Sequence, residues 1–137
     1  MAIDYGTKRT GIAVTDPMQM IASPLDTVLT HDLMNFLGSY MQEEEVEMLV
    51  VGEPKQMDAT DSASLSKIRF FVEAFKKRFK EVPVRWVDER FTSRMAMEVM
   101  IEGGMKKSDR QKKGYVDKVS AAIILQTYLD SRNKISG

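Results

Sequence analysis

The stretch IDYGTKRTGIAVTD, residues 3–16, sets an aspartate inside an otherwise apolar opening, follows it with a polar turn, and closes on a second apolar run. MAIDY (1–5) reads as a short strand, GTKR (6–9) as turn-like and TGIAVTD (10–16) as a second strand, so the two form a hairpin. MAIDY is short for a central strand, and a few further residues are expected upstream of it. Burying an unpaired carboxylate costs several kcal/mol or forces it to take up a proton. Asp4 therefore needs a cation, a donor network or an opening to solvent.

Outward from the hairpin, MIASPLDTVL (20–29) is a third extended segment, and Pro24 makes it an edge or broken strand. HDLMNFLGSYMQEEE (31–45) carries Leu33, Phe36, Leu37 and Tyr40 at helical spacing. VEMLVVG (46–52) is a continuous apolar run, as in a strand buried on both faces. After the loop EPKQMDATDS (53–62), with Ser62 or Ser64 as a candidate cap, a helix lines up Leu65, Ile68, Val72, Phe75 and Phe79 and ends in a basic tail. VPVRWVD (82–88) is a further strand, with Trp86 expected to pack on the sheet. FTSRMAMEVMIE (91–102) reads as a helix that Thr92 would cap and Gly103–Gly104 would stop. A basic loop leads to YVDKVSAAIILQTYLDSR (115–132), a last helix. The order β-β-β-α-β-α-β-α-α predicts an α/β domain over 1–137: a mixed sheet, antiparallel at its start, with helices on its faces.

Composition narrows the chemistry. The chain has 137 residues, no cysteine and one histidine, so disulfides, thiolate metal sites, a cysteine nucleophile and sites needing two imidazoles are all excluded. No apolar run approaches the roughly 20 residues of a membrane span, and no signal peptide is visible, so the cytoplasm is the expected compartment. Net charge is zero, which argues against a general nucleic-acid binder. Charge is unevenly spread, however: MKKSDRQKKGYVDK (105–118) has six Lys or Arg against two Asp. Such a stretch can reach phosphates locally, although a solvated loop explains the charge as simply.

Three places put acids where a core does not want them: Asp4, the pair Asp88–Glu89 past a strand end, and Asp117 at the start of the last helix. Positions 117, 121, 124 and 128 share a helix face, and the small Ala121 and Ala122 would let that helix approach the sheet closely. Singly, each acid has a plain alternative as a turn, loop or helix-start residue. Together, carboxylates without His or Cys suit a hard divalent cation, Mg²⁺ or Mn²⁺, as one or two ions able to support phosphodiester cleavage.

Four blocks, IDYGTKRTGIAVTD (3–16), VVGEPKQMDATDS (50–62), VDERFTS (87–93) and VDKVSAAIILQTYL (116–129), together resemble the YqgF (RuvX) family over essentially the whole chain. These are bacterial proteins described as nucleases for the 5′ end of precursor 16S ribosomal RNA and related to Holliday junction resolvases. The resemblance implies an RNase H-like three-layer fold with a five-stranded mixed sheet, its first three strands antiparallel. It implies that Asp4, Glu89 and Asp117 are the metal-binding catalytic acids, and that the task is ribosome biogenesis. Two departures stand out: Glu53 where an apolar residue is usual and Ala59 where glycine is common.

Around the acids, Lys8, Arg9, Arg90, Lys106, Lys107, Arg110, Lys112 and Lys113 are candidate phosphate contacts, as is the helix tail 76–80. Gly6 would let backbone approach a phosphate or close the hairpin, and for Gly11 turn geometry is the simpler reading. Asp88 is a supporting acid or further ligand, and Thr92 would orient the Glu89 loop. The expected partner is nucleic acid, bound by a monomer or weak homodimer. Junction-DNA resolution is the alternative within the enzyme class. Two other classes remain: a one-lobed nucleotide-binding domain, since DxGT on a hairpin also occurs in the actin and sugar-kinase superfamily, and a non-catalytic RNA-binding module. Protection by ATP without cleavage would mark the first, and chelator-insensitive RNA binding the second.

Overall fold

A computed structural model of the chain describes residues 1–53, 62–88 and 113–136. Five strands form one sheet in the order β3-β2-β1-β4-β5: β1 (Ala2–Asp4), β2 (Arg9–Thr15), β3 (Ala22–Leu29), β4 (Leu49–Glu53) and β5 (Val84–Asp88). β1–β2 and β2–β3 are antiparallel, whereas β1–β4 and β4–β5 are parallel. This is the mixed sheet expected from the hairpin start. Pro24 lies on the edge strand β3, and the β2–β3 register slips there: Ile12 faces Asp26, whereas Ala13 faces Pro24. A residue without an N–H is tolerated at an edge bulge and not in a central ladder.

Side-chain alternation divides the sheet into two cores. On one face Ile3, Ile12, Leu49 and Val51 pack against helix α1 (Leu33–Glu43), through Leu33 and Leu37, and helix α2 (Ser62–Arg78), through Ile68, Val72 and Phe75. Trp86 packs against the same cluster, as expected. On the other face Ala2, Ala13 and Val50 meet helix α3 (Lys113–Ser136) through Ala121, Ala122, Ile124 and Leu125. The alanines on both sides of this second interface shorten the helix–sheet distance. α1 and α2 on one face and α3 on the other make the three layers.

α2 joins the end of β4 to the start of β5, so it runs back against the parallel strands. Its basic tail, Lys76, Lys77 and Arg78, lies near the sheet end where β5 begins, followed by the Phe79–Val82 turn, with Leu49 N–H bonded to the Pro83 carbonyl. Asp4 closes β1 at the other end. α2 is about 26 Å long and carries this tail, a candidate phosphate contact, to the sheet end opposite Asp4. The expected helix 91–102 and the basic loop up to residue 112 lie outside the described residues.

Candidate active site

Asp4 is the last residue of β1 and directly faces Gly11 of β2. Such cross-strand neighbours sit about 4.5–5.5 Å apart at Cα, with side chains on the same face. Asp4 alternates with Ile3 and shares its face with Ala2, so it belongs to the α3 side of the sheet. It is half-buried.

Gly11 explains how Asp117 reaches the same place. A Cβ on Gly11 would overlap the Asp117 carbonyl and lie 2.6 Å from the Lys118 amide nitrogen, inside the 3.0 Å that real Cβ atoms keep. The first turns of α3 thus rest on the backbone of β2 where β2 faces Asp4. Gly11 lies inside a strand, which corrects the turn reading: its missing side chain is what admits the helix. Farther along, Ala121 and Ile124 are buried on the same helix face as Asp117, and Asp117 itself stays partly open to solvent. The start of α3 is fastened to the edge strand by the Thr27 hydroxyl, which donates to the Gly114 carbonyl.

Arg9 opens β2 on the same face as Gly11. Its Nε donates to Asp117 Oδ2 at 3.3 Å, with the two side chains 36% and 28% exposed. Lys8, in the preceding turn, is exposed. Gly6 closes that turn, because a Cβ there would run into the Arg9 carbonyl. The hairpin is braced from behind: the Thr30 hydroxyl donates to the Gly6 carbonyl at 2.6 Å and sits 2.9 Å from the buried Thr10 hydroxyl. A hydroxyl has one hydrogen, so Thr10 is the donor to Thr30. Thr30 N–H also bonds the Lys8 carbonyl at 2.9 Å. Thr10, Thr27 and Thr30 were not singled out from the sequence, where nothing separates them from ordinary strand threonines.

Asp88 ends β5, faces Glu53 in register and is exposed. Val87 packs on the α3 side, so alternation turns Asp88 toward the opposite face from Asp4. Glu89, Arg90, Thr92, Lys106, Lys107, Arg110 and Lys112 lie outside the described residues, and of Lys113 the backbone alone is described. Among the described residues no group of three acidic, His or Cys side chains is set to hold a metal. The structure therefore brings together Asp4, Asp117 and Arg9.

A cavity of about 610 Å³ lies at the other end of the sheet, between Val14–Asp16 of β2 and Val46–Met48, with Tyr40 on one side and Leu125 and Leu129 on the other. Glu44, Glu45 and Glu47 make its rim acidic. It is separate from the carboxylates on Asp4 and Asp117. No described helix is long and apolar enough to cross a membrane.

A five-stranded mixed sheet, antiparallel over its first three strands, with α1 and α2 on one face and α3 on the other, is the RNase H-like class of fold. A fowlpox virus resolvase, solved in complex with Holliday junction DNA, shares that fold with a TM-score of 0.51 at 16% identity over 95% of both chains. Residues 1–131 match the model of the RuvX family, described as Holliday junction resolvase, and the chain belongs to that family. A relative from Bacteroides thetaiotaomicron, provisionally named a pre-16S rRNA nuclease, is 56% identical over 132 residues, covering 96% of each chain. One from Christiangramia forsetii, with the same name, is 56% identical over 129 residues, covering 94% of this chain and 96% of its own.

Proposed function

We propose that this chain is a divalent-metal-dependent nuclease that hydrolyses phosphodiester bonds in precursor 16S ribosomal RNA, with Asp4, Glu89 and Asp117 as its metal-binding acids. The observation that carries the proposal is the contact chain from Asp4 to Gly11 across the sheet and from Gly11 to Asp117 beneath the helix. It joins carboxylates from the two ends of the sequence on one face. Glu89 follows in the sequence directly on Asp88, the last residue of β5, and itself lies outside the described residues.

These donors fit the ion. Carboxylate oxygens held by a strand and a helix, without sulfur or imidazole, suit Mg²⁺ or Mn²⁺. When bound, one or two such ions supply Lewis acidity to the phosphodiester oxygens. The chain's own part is to hold the acids on rigid elements and to position the backbone of the nucleic acid. Asp4 is fixed by the sheet ladder and Asp117 by the Gly11 contact, and Lys8 lies exposed on the braced turn to meet a phosphate. The cations at 90 and 106–113 extend that contact surface in the sequence.

The names of the relatives favour ribosomal RNA, and the description of the family favours a four-way junction as the second substrate. The proposed chain works in the cytoplasm as a monomer or weak homodimer. Cleavage of precursor 16S RNA, single-stranded RNA and four-way DNA junctions, each with Mg²⁺, Mn²⁺ or chelator, separates the readings. Precursor RNA should be cut with either metal and not with chelator, and Asp4→Asn, Glu89→Gln and Asp117→Asn should each abolish cutting. Cleavage that survives these neutral substitutions would contradict the assignment, and preference for the junction would move the substrate to DNA.

A further inference from the structure

We propose that Arg9 is a replaceable counter-ion: it holds Asp117 while the site lacks a divalent cation, and its guanidinium passes to a phosphate of the nucleic acid when the cation arrives. The inference rests on Asp117 being a metal ligand.

Three observations lead to it. First, the Arg9–Asp117 pair is of an exchangeable kind. It is made through Nε and Oδ2, at 3.3 Å, with both side chains still open to water. Exposed pairs of this sort hold weakly, whereas a bidentate buried pair would lock the carboxylate. Second, the backbone around Arg9 is pinned on both sides, so any response must come from the side chain. The Arg9 carbonyl abuts Gly6, Thr10 is buried and bonded to Thr30, and Lys8 accepts from Thr30 N–H. Arg9 then pivots from a fixed point beside the acids. Third, the two roles compete: a guanidinium and a divalent cation on one carboxylate repel each other, so each weakens the other's hold. The phosphodiester offers the released fork two charged oxygens for a bidentate contact, which it matches better than the single oxygen it meets on Asp117.

The consequence is linkage. Metal binding frees Arg9 for nucleic acid, and nucleic acid, by drawing Arg9 away, frees Asp117 for metal. Each ligand therefore raises the affinity for the other by the same factor.

Titration calorimetry with MnCl₂ tests this on the full chain, with and without a short single-stranded RNA of hydrolysis-resistant phosphorothioate linkages, shown intact by gel electrophoresis after each run. Arg9→Gln without RNA should bind Mn²⁺ about two- to fivefold more tightly than wild type, the range set by an exposed ion pair. It should bind the RNA more weakly and lose the gain in Mn²⁺ affinity that RNA gives the wild type. Asp117→Asn, run alongside, should lose Mn²⁺ binding. If Asp117→Asn loses the metal while Arg9→Gln binds it equally or less well, the counter-ion role is overturned and the metal site stands. If Asp117→Asn keeps full Mn²⁺ affinity, the metal-site reading itself fails and takes this role with it. Should circular dichroism show Arg9→Gln unfolded, the neutral Arg9→Met decides: tighter Mn²⁺ binding than wild type supports the role, and equal or weaker binding overturns it.

Discussion

Gly11 and Asp117 touch through their backbones, although more than a hundred residues separate them in the chain. The contact joins the strand that faces Asp4 to the helix that carries the other described acid. Gly11→Ala would push a methyl into the Asp117 carbonyl, and neither β2 nor α3 can yield without disturbing the alanine-lined interface below. We expect a loss of about 1–3 kcal/mol, in the range of overpacked core sites, read from urea unfolding. Mn²⁺ binding should fall at the same time, since α3 must lift at its first turns. A variant as stable as wild type would mean that the helix has room to move.

The hydroxyl relay behind the hairpin predicts an asymmetry between two threonines. Thr10→Val removes one donor and leaves Thr30 bonded to the Gly6 carbonyl, at a cost of about 0.5–1.5 kcal/mol. Thr30→Val strands the buried Thr10 hydroxyl and also removes the donor to Gly6, at about 1–3 kcal/mol. Denaturant midpoints of the two variants should rank in that order, and the reverse order would contradict the donor directions given above.

Phe75 is fully buried in the core beneath α2, with its ring 6.4 Å from that of Phe71 and 4.9 Å from that of Phe79. Phe75→Ala should cost about 3–5 kcal/mol, whereas Phe70→Ala, on the same helix and 80% exposed, should stay within about 0.5 kcal/mol of wild type. Thermal melts of the pair check both.

The loop between β2 and β3 carries an acid stability dependence. The Ile21 amide, with those of Met20 and Met18, donates to the Asp16 carboxylate and holds it below the usual carboxylate range. A carboxyl whose folded value is depressed stabilises the fold above its unfolded value, near 3.9, and loses that contribution as pH falls through the folded one. The melting difference between wild type and Asp16→Ala should therefore be full at pH 7 and shrink below about pH 4. A difference that stays constant down to pH 2 would point to packing and away from the charge.

Much of this architecture was legible in residue order. The hairpin, the doubly buried VEMLVVG strand and the edge position forced by Pro24 each follow from local chemistry, and the structure has all three. Asp4 announced itself because a carboxylate has no place in a core without a partner. Gly11 did not, since its requirement comes from a helix at the far end of the sequence and leaves no local trace. The place of the basic tail of α2 was hidden for a related reason. Charge can be read from sequence, whereas the end of the sheet on which it falls depends on the direction of the crossover. The Arg9–Asp117 pair was invisible for the same cause, because the two residues meet only once α3 lies across β2.

The central claim is that Asp4 and Asp117 share a divalent cation, and diffraction from Mn²⁺-soaked crystals tests it most directly. An anomalous difference peak within about 2–2.6 Å of carboxylate oxygens from both residues, accompanied by Arg9 turned away from Asp117, is the predicted result. A peak confined to the acidic rim at Glu44–Glu47, or none near Asp4 and Asp117 at saturating Mn²⁺, would contradict it.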